Sequence, residues 1–175
     1  MDHAQTSVPA EALNHLDALY NLARWLTHDP AEAEDLVQET YLRALRGAHL
    51  FQPGTNLRAW LFQILRNTFF TLYKRKGREP EVLDPEVLDG LVPMGGATGV
   101  GGWLAGMRDA TAGLDLTAAL NRLPEEYRSV VLLADLEDFS MREIAWIMDC
   151  PVGTVKSRLF RARAILKGLL RDYRQ

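Results

Sequence analysis

The last predicted helix carries basic, hydroxyl and aromatic side chains at spacings that place them on one face. Lys156, Ser157, Phe160 and Arg161 lie at i, i+1, i+4 and i+5, positions that share one side of an α-helix. Arginine, lysine and serine suit base edges and phosphates, and an aromatic ring can contact a thymine methyl group. The full set on or near this outward face is Thr154, Lys156, Ser157, Arg158, Phe160 and Arg161. The pattern indicates DNA binding. Arg163 and Lys167, further along the same helix, are predicted to face phosphate or solvent.

A second group of basic and aromatic residues follows the loop sequence Pro53-Gly54-Thr55-Asn56. Its members are Arg66, Asn67, Phe70, Tyr73 and Lys74. Cations interleaved with aromatic rings suit single-stranded DNA, because bases stack on the rings while the cations track the phosphates. Either Phe69 or Phe70 could instead belong to the core, and only one of the two is expected to face outward.

Charge is strongly segregated along the chain, although the net charge is only −3. Residues 29–39 and 79–90 each contain five acidic residues and no basic residue, whereas residues 58–78 contain six basic residues and no acidic one. Residues 151–175 contain seven basic residues and one acidic residue. Each block alone could be a solvated helix face. Two distant basic blocks, each on a predicted helix, favour a protein that binds a polyanion at two sites.

Residues that could catalyse a reaction or hold a metal are scattered. The four histidines lie on different predicted elements, and none has a carboxylate-assisted i, i+4 metal spacing. No glycine-rich phosphate-binding motif follows a strand. Asp115, Asp135 and Asp138 are interpreted as caps and surface charges. Cys150 is the single cysteine, so it can form neither an internal disulfide nor a multi-cysteine zinc site. We predict no enzyme activity, metal or cofactor.

Cys150 falls in a turn, at a position that is normally apolar. Its simplest role is that of a small buried hydrophobe, and a redox switch is the alternative.

Helical periodicity predicts the elements that position these residues, and strand signals are almost absent. Residues 10–27 form an amphipathic helix whose apolar side contains Leu13, Leu16, Tyr20 and Ala23. Asp29, Pro30 and Glu32 begin a second helix, which ends at Gly47. Its apolar stripe is Ala33, Leu36, Val37, Thr40, Tyr41, Ala44 and Leu45. Asn56 caps a third helix that ends near Gly77. The third helix is expected to bury Trp60, Leu61, Ile64, Leu65 and Leu72.

Prolines and glycines interrupt this periodicity over residues 79–113, which we interpret as a linker between two domains. Helices resume at Leu114 and again at Pro124. Ser140 and Glu143 form a capping box, and Pro151 starts the last helix, which runs to about Tyr173. The two helices after Ser140 fit a helix-turn-helix. Their inward residues are Ile144, Ala145, Met148, Val155 and Leu159. A plain α-hairpin with a basic surface is the alternative.

Several of these segments resemble one protein family. The sequences 123–128, 144–150 and 151–163 are similar to the promoter-binding C-terminal domain of the extracytoplasmic-function sigma factors, a group of bacterial RNA polymerase sigma factors in the sigma-70 family. Residues 35–44 resemble the family's core-polymerase-binding helix, and residues 57–67 resemble its promoter-melting helix. The resemblance covers nearly the whole chain except the linker. It implies an all-α protein with two small helical domains joined by a flexible linker, the second containing the helix-turn-helix.

The resemblance also implies roles for particular residues. A region 2 domain, residues 1–78, would bind the β′ clamp of core RNA polymerase and recognise and melt the minus-ten element, and a region 4 domain, residues 114–175, would bind the minus-thirty-five element and the β flap. The implied polymerase-binding residues are Asp35, Leu36, Gln38 and Glu39. The implied minus-ten residues are Asn56, Arg58, Arg66, Asn67, Phe70, Tyr73 and Lys74. The implied minus-thirty-five residues are Thr154, Lys156, Ser157, Arg158, Phe160 and Arg161.

The resemblance further implies an anti-sigma factor as a partner, to which any stress sensing would belong. No signal-peptide pattern begins at Met1 and no run of apolar residues is long enough for a membrane span, so we expect a cytoplasmic protein, monomeric when free. A stand-alone helix-turn-helix regulator is the main alternative function, but it has no use for the motifs at 35–44 and 57–67. An enzyme is the second alternative.

Overall fold

The computed structural model of the chain describes residues 10–73 and 113–172, and in these two ranges the secondary structure is helical. The first range contains α1 (Leu16–Thr27), α2 (Pro30–Arg46) and α3 (Leu57–Tyr73), preceded by a 3₁₀ turn at Ala10–His15. The second contains α4 (Gly113–Arg122), α5 (Glu125–Val131), α6 (Met141–Met148) and α7 (Val152–Asp172). The chain divides into two compact units, which we call unit one (α1 to α3, with the last three residues of α6) and unit two (α4, α5, the rest of α6, and α7). The predicted all-α fold is confirmed.

Unit one is a three-helix arrangement in which α1, α2 and α3 pack against one another. Its core is made of aliphatic residues from all three helices and one aromatic ring. The core residues include Leu19, Leu22, Ala23, Ala33, Leu36, Ala44, Leu61, Phe62 and Leu65. Tyr41 ties α2 to the preceding 3₁₀ turn, because its hydroxyl donates a hydrogen bond to the carbonyl of Ala12 at 2.7 Å.

The predicted first helix differs from the structure in its first six residues. Residues 10–15 form a 3₁₀ turn rather than an α-helix, and a 3₁₀ turn advances three residues per turn instead of 3.6. The face that meets the core therefore shifts to Ala12, Leu19, Leu22 and Ala23. Leu13, predicted to be inward, is 67% exposed, and Leu16 is also exposed.

The predicted helix starts depend on side-chain caps, and the structure contains them. Asp29 Oδ1 accepts from the Glu32 amide at 3.0 Å, with Pro30 in the first helical position. Asn56 Oδ1 accepts from the Ala59 amide at 3.0 Å. Each cap pairs an amide that has no partner within its own helix. In contrast, Leu45 and Leu72, both predicted to be buried, lie on the exposed sides of α2 and α3, and the predicted end of α3 near Gly77 lies outside the described residues.

Unit two is built around α5 and the π-helical turn that follows it at Leu132–Leu136. Every residue from Arg128 to Asp135 is buried, and both α4 and α5 pack on α7. Wider hydrogen bonds define the turn, since the Glu137 amide donates to the Leu132 carbonyl at 3.1 Å. Asp135 lies in this turn and is buried, so its interpretation as a surface charge was wrong.

The helix-turn-helix expected from the sequence is formed by α6 and α7. Ser140 and Glu143 make a reciprocal capping box, with amide-to-side-chain distances of 2.8 and 3.2 Å. After α6 the chain turns through Asp149, whose φ of 51° is left-handed, and the Cys150 amide donates to the Ala145 carbonyl at 3.0 Å. The predicted inward residues that belong to unit two, Ile144, Ala145, Val155 and Leu159, are buried.

Candidate nucleic-acid and partner interfaces

The outward face of α7 brings together four of the six residues predicted to contact double-stranded DNA. Lys156 and Ser157 are exposed, and Phe160 and Arg161 are half-buried. At about 100° per residue, these four positions lie on the side of the helix away from the buried face containing Val155. Two cations, a hydroxyl and an aromatic ring therefore form one surface that could enter a groove.

Thr154 and Arg158 lie at the border of this face rather than at its centre, and both are half-buried. Arg158 points back toward α5, where its guanidinium forms an ion pair with Glu126 at 3.3 Å. The same guanidinium lies 4.0 Å from the Cys150 Sγ. Cys150 is a free thiol and half-buried, whereas the sequence predicted a buried side chain. The ion pair with Glu126 therefore keeps the Arg158 side chain against α5, at one edge of the outward face.

Arg163 does not belong to the surface at all. The sequence predicted that it would face phosphate or solvent, but its side chain is 9% exposed and forms a bidentate ion pair with Asp135. Lys167, on the next turn, is exposed as predicted. Sequence reasoning missed the pair because its two residues are 28 positions apart, so no local pattern joins them.

The start of α3 presents an ordered, exposed turn. Thr55 donates two hydrogen bonds to the Gln52 carbonyl, one from its hydroxyl at 2.6 Å and one from its amide at 3.2 Å. Gly54 has a φ of 85°, which side-chain-bearing residues rarely adopt. Phe51 packs on Trp60 with ring centroids 5.1 Å apart. The turn is thus anchored at both ends while residues 52–56 stay exposed.

The outward side of α3 places a cation beside an aromatic ring. The Arg66 guanidinium lies 4.5 Å from the centroid of the Phe70 ring, a cation–π distance, and Asn67 is exposed beside them. Phe69 and Phe70 are both half-buried and in edge-to-face contact, so the expectation that only one of them faces outward stays a prediction. The Tyr73 side chain and Lys74 lie outside the described residues.

Arg58 lies apart from that group, in the first turn of α3. Its guanidinium lies 5.4 Å from the centroid of the Phe62 ring. Burial, together with the positive charge of Arg58, lowers the pKa of His15 from its usual value.

The solvent side of α2 carries the residues expected to bind polymerase, with one exception. Asp35 and Gln38 are exposed, and Glu39 forms an i, i+4 ion pair with Arg43 at 2.9 Å. Leu36 is 1% exposed in the core, so it supports the helix from within and offers no side chain to a partner. The prediction of Leu36 as a contact residue is corrected accordingly.

Two leucines on the same side of α2 were missed. Leu42 is 46% exposed and Leu45 is 59% exposed, and Leu42 lies seven residues, or two turns, after Asp35. The i+7 spacing could have predicted from the sequence that Leu42 lies on the same side of the helix as Asp35. Polar side chains at the start of this surface are followed by two apolar ones. We call it the α2 face, and its residues are Asp35, Gln38, Glu39, Leu42 and Leu45.

Within residues 10–73 and 113–172, no group of three histidine, cysteine or carboxylate side chains could hold a metal ion. The helices of the same ranges are all too short or too polar to cross a membrane.

Known proteins match both units. The Sigma-70 region 2 family matches residues 12–79, and the Sigma-70 region 4 family matches residues 113–166. The chain is 39% identical to the ECF RNA polymerase sigma factor EcfG of Rhodopseudomonas palustris, over 94% of this chain and 85% of that protein. It is 38% identical to the ECF RNA polymerase sigma factor SigE of Mycolicibacterium smegmatis, over 91% of this chain but 58% of that protein.

A solved structure is also similar. The sigma factor RpoE, in complex with the anti-sigma factor NepR from Bartonella quintana, has 35% sequence identity and a TM-score of 0.68, covering 92% of this chain and 94% of that one.

Proposed function

The chain belongs to the extracytoplasmic-function group of sigma factors, and we propose that it binds core RNA polymerase and directs promoter recognition, DNA melting and transcription initiation as an alternative sigma factor. The order of the two matched regions supports this function. We assign region 2 to residues 1–78, the linker to residues 79–113 and region 4 to residues 114–175. The protein acts as a non-enzymatic initiation factor. A stand-alone helix-turn-helix regulator does not account for the region 2 match.

The outward face of α7 is the observation that carries promoter binding. In a helix-turn-helix the second helix enters the major groove, and here that helix presents Lys156, Ser157, Phe160 and Arg161 away from the core. We assign these four residues to the base pairs and phosphates of the minus-thirty-five element. Thr154 and Arg158, at the border of the face, are assigned to the adjoining DNA backbone.

Unit one supplies the second DNA site. The exposed turn ending at Asn56 is assigned to capture of a flipped base of the minus-ten element, which requires hydrogen bonding to the base edge and unstacking that costs about a few kcal/mol. The face along α3 is assigned to the separated strand, because stacked rings and cations bind single-stranded DNA without needing a duplex. The residues assigned to the strand are Arg66, Asn67 and Phe70 on this face, Arg58 in the first turn of α3, and Tyr73 and Lys74 from the sequence alone.

The α2 face is assigned to the β′ clamp coiled coil of core polymerase. Its acidic residues fit a basic partner helix, and its exposed leucines add apolar area of the kind found at the centre of interfaces. Region 4 is assigned to the β flap.

An anti-sigma factor is assigned as the regulator. The similar RpoE structure contains the anti-sigma factor NepR. By analogy, such a partner would bind this chain while it is free and monomeric. The chain acts in the cytoplasm, where the polymerase is.

Reconstitution tests the proposed function directly. Core RNA polymerase, the full chain, or both are incubated with fragments of the source genome, and run-off transcripts are sequenced. Specific start sites should appear only when both proteins are present. Sequence-specific binding by the chain alone, with no new transcripts in the presence of core polymerase, would instead identify a stand-alone regulator.

A pair of substitutions tests the α7 face. A bidentate contact from Arg161 to a base contributes about 1–3 kcal/mol of discrimination, so Arg161→Ala should reduce transcription from a start site found above and relax preference at one or two base pairs. Lys167→Ala should weaken binding equally on all sequences and flatten the salt dependence, since an exposed lysine further along contacts phosphate. Single-base promoter variants, measured at low and high salt, distinguish the two. An unchanged preference profile for Arg161→Ala would remove this face from the groove.

A further inference from the structure

Among the described residues of unit two, Asp135 and Arg163 form an ion pair that is almost fully buried and lies outside every DNA face described above. Arg163 Nε donates to Asp135 Oδ2 at 3.2 Å, and a terminal guanidinium nitrogen donates to Oδ1. The side chains are 9% and 0% exposed. The pair joins the middle of α7 to the π-helical turn after α5. Such turns are rare in proteins, and those that occur are often found at functional sites.

Stability alone does not explain such a pair. Removing two charges from water costs about as much as their attraction returns, and well-packed apolar residues of similar volume often stabilise a protein equally or better. A bidentate guanidinium–carboxylate contact provides something that apolar packing does not, because the planar fork fixes both a distance and an orientation. The other inward residues near it on α7, Leu159, Ala162 and Leu166, are aliphatic and impose no comparable direction.

The position of Arg163 relates that orientation to DNA contact. At about 1.5 Å per residue, it lies only about 3 Å along the helix axis from Arg161 and about 4.5 Å from Phe160. A rotation of α7 by roughly 20° would move a side chain at the helix surface by about 2 Å, given a helix radius of about 5–6 Å with side chains. Hydrogen bonds to base edges tolerate a donor–acceptor range of only about 0.5 Å, whereas a flexible lysine can follow a phosphate.

We propose that Asp135 and Arg163 are positioning residues for promoter recognition, fixing the rotation of α7 about its axis so that the outward face meets the base edges. The proposal rests on the proposed function of that face. It concerns specificity and not affinity, because phosphate contacts survive a small rotation and base contacts do not.

The test removes the pair without leaving a buried unpaired charge. The double variant Asp135→Leu/Arg163→Met does so with apolar residues, and Arg163→Lys keeps the charge but removes the fork. Glu126→Gln is the matched control, because it breaks the exposed ion pair between α5 and Arg158. Each full chain, with core RNA polymerase, is selected on a duplex DNA library with a randomised upstream segment, and thermal unfolding is followed in parallel.

The double variant should unfold close to wild type yet discriminate its selected sequence from single-base variants about tenfold less well, with affinity for unselected DNA unchanged. Arg163→Lys should lose part of the discrimination, and Glu126→Gln none. Three outcomes would overturn the proposal and leave the pair a stability element. The folded double variant could keep its discrimination, its binding could weaken equally on all sequences, or both Arg163 variants could fail to fold. A wild-type chain without sequence preference would instead overturn the proposed function.

Discussion

Asn56 has two roles that one pair of substitutions can separate. Its side-chain oxygen caps α3 by accepting from the Ala59 amide at 3.0 Å, and its amide nitrogen is proposed to contact a flipped base. Asn56→Ala removes both functions. Loss of a cap costs about 1 kcal/mol, which corresponds to roughly 4–8 °C in the melting temperature of a domain of 60–100 residues. Asn56→Asp keeps the accepting oxygen and places a negative charge at a helix N-terminus, where it stabilises by about 0.3–1 kcal/mol.

The two substitutions should therefore differ in stability and agree in function. Asn56→Asp should unfold at or above the wild-type temperature, yet melt promoter DNA about tenfold or more less efficiently, because it loses a donor and repels phosphate. Asn56→Ala should lose both stability and melting. Circular dichroism at increasing temperature measures the first property. Permanganate reactivity of unpaired thymines, with core polymerase and a template selected by the wild type, measures the second.

Asp29→Ala provides the matched control, because it removes the equivalent cap of α2, the 3.0 Å bond to Glu32, at a residue not assigned to DNA. It should lower the unfolding temperature by a similar amount and leave promoter melting intact at temperatures where the chain is folded. Normal melting by Asn56→Asp, together with identical behaviour of Asn56→Ala and Asp29→Ala, would refute the reasoning and leave Asn56 as a cap only.

Two further predictions concern α2. Asp35→Lys should weaken binding to core polymerase, measured by titration of labelled chain, while Asp17→Lys, an equal charge change at an exposed position of α1, should not; equal affinities would remove the α2 face from the interface. Tyr41→Phe should lower the free energy of unfolding by about 1 kcal/mol, since the hydroxyl bond to the Ala12 carbonyl is lost. Burial raises the pKa of Tyr41 above its usual value of 10.0, so the stabilisation by its hydroxyl should be complete below pH 10 and lost as the pH rises through the folded-state pKa. Denaturant unfolding at pH 8 and above pH 10 should show a stability difference between wild type and Tyr41→Phe that shrinks at the higher pH. An equal difference at both pH values would contradict this prediction.

The sequence determined the features of this protein that depend on residues within a few positions of one another. Asp29, Asn56 and the Ser140–Glu143 box were recognisable as helix starts, because a cap is formed between a side chain and an amide two or three residues later. The inward residues of the helix-turn-helix, such as Ile144 and Val155, followed from helical spacing in the same way. The grouping of Lys156, Ser157, Phe160 and Arg161 on one face needed only the 100° turn per residue.

Tertiary structure decided which faces of those helices are buried. Leu13 and Leu45 fit an apolar stripe in sequence, yet both are exposed. Leu13 lies in a 3₁₀ turn, and for Leu45 the neighbouring helices decide how much of the stripe meets the core. Arg163 and Lys167 looked alike in a basic segment, and only the fold buries the first beside Asp135, 28 residues away. A charged side chain is rarely buried unless an oppositely charged partner lies next to it in the fold. A partner 28 residues away cannot be recognised from helical periodicity.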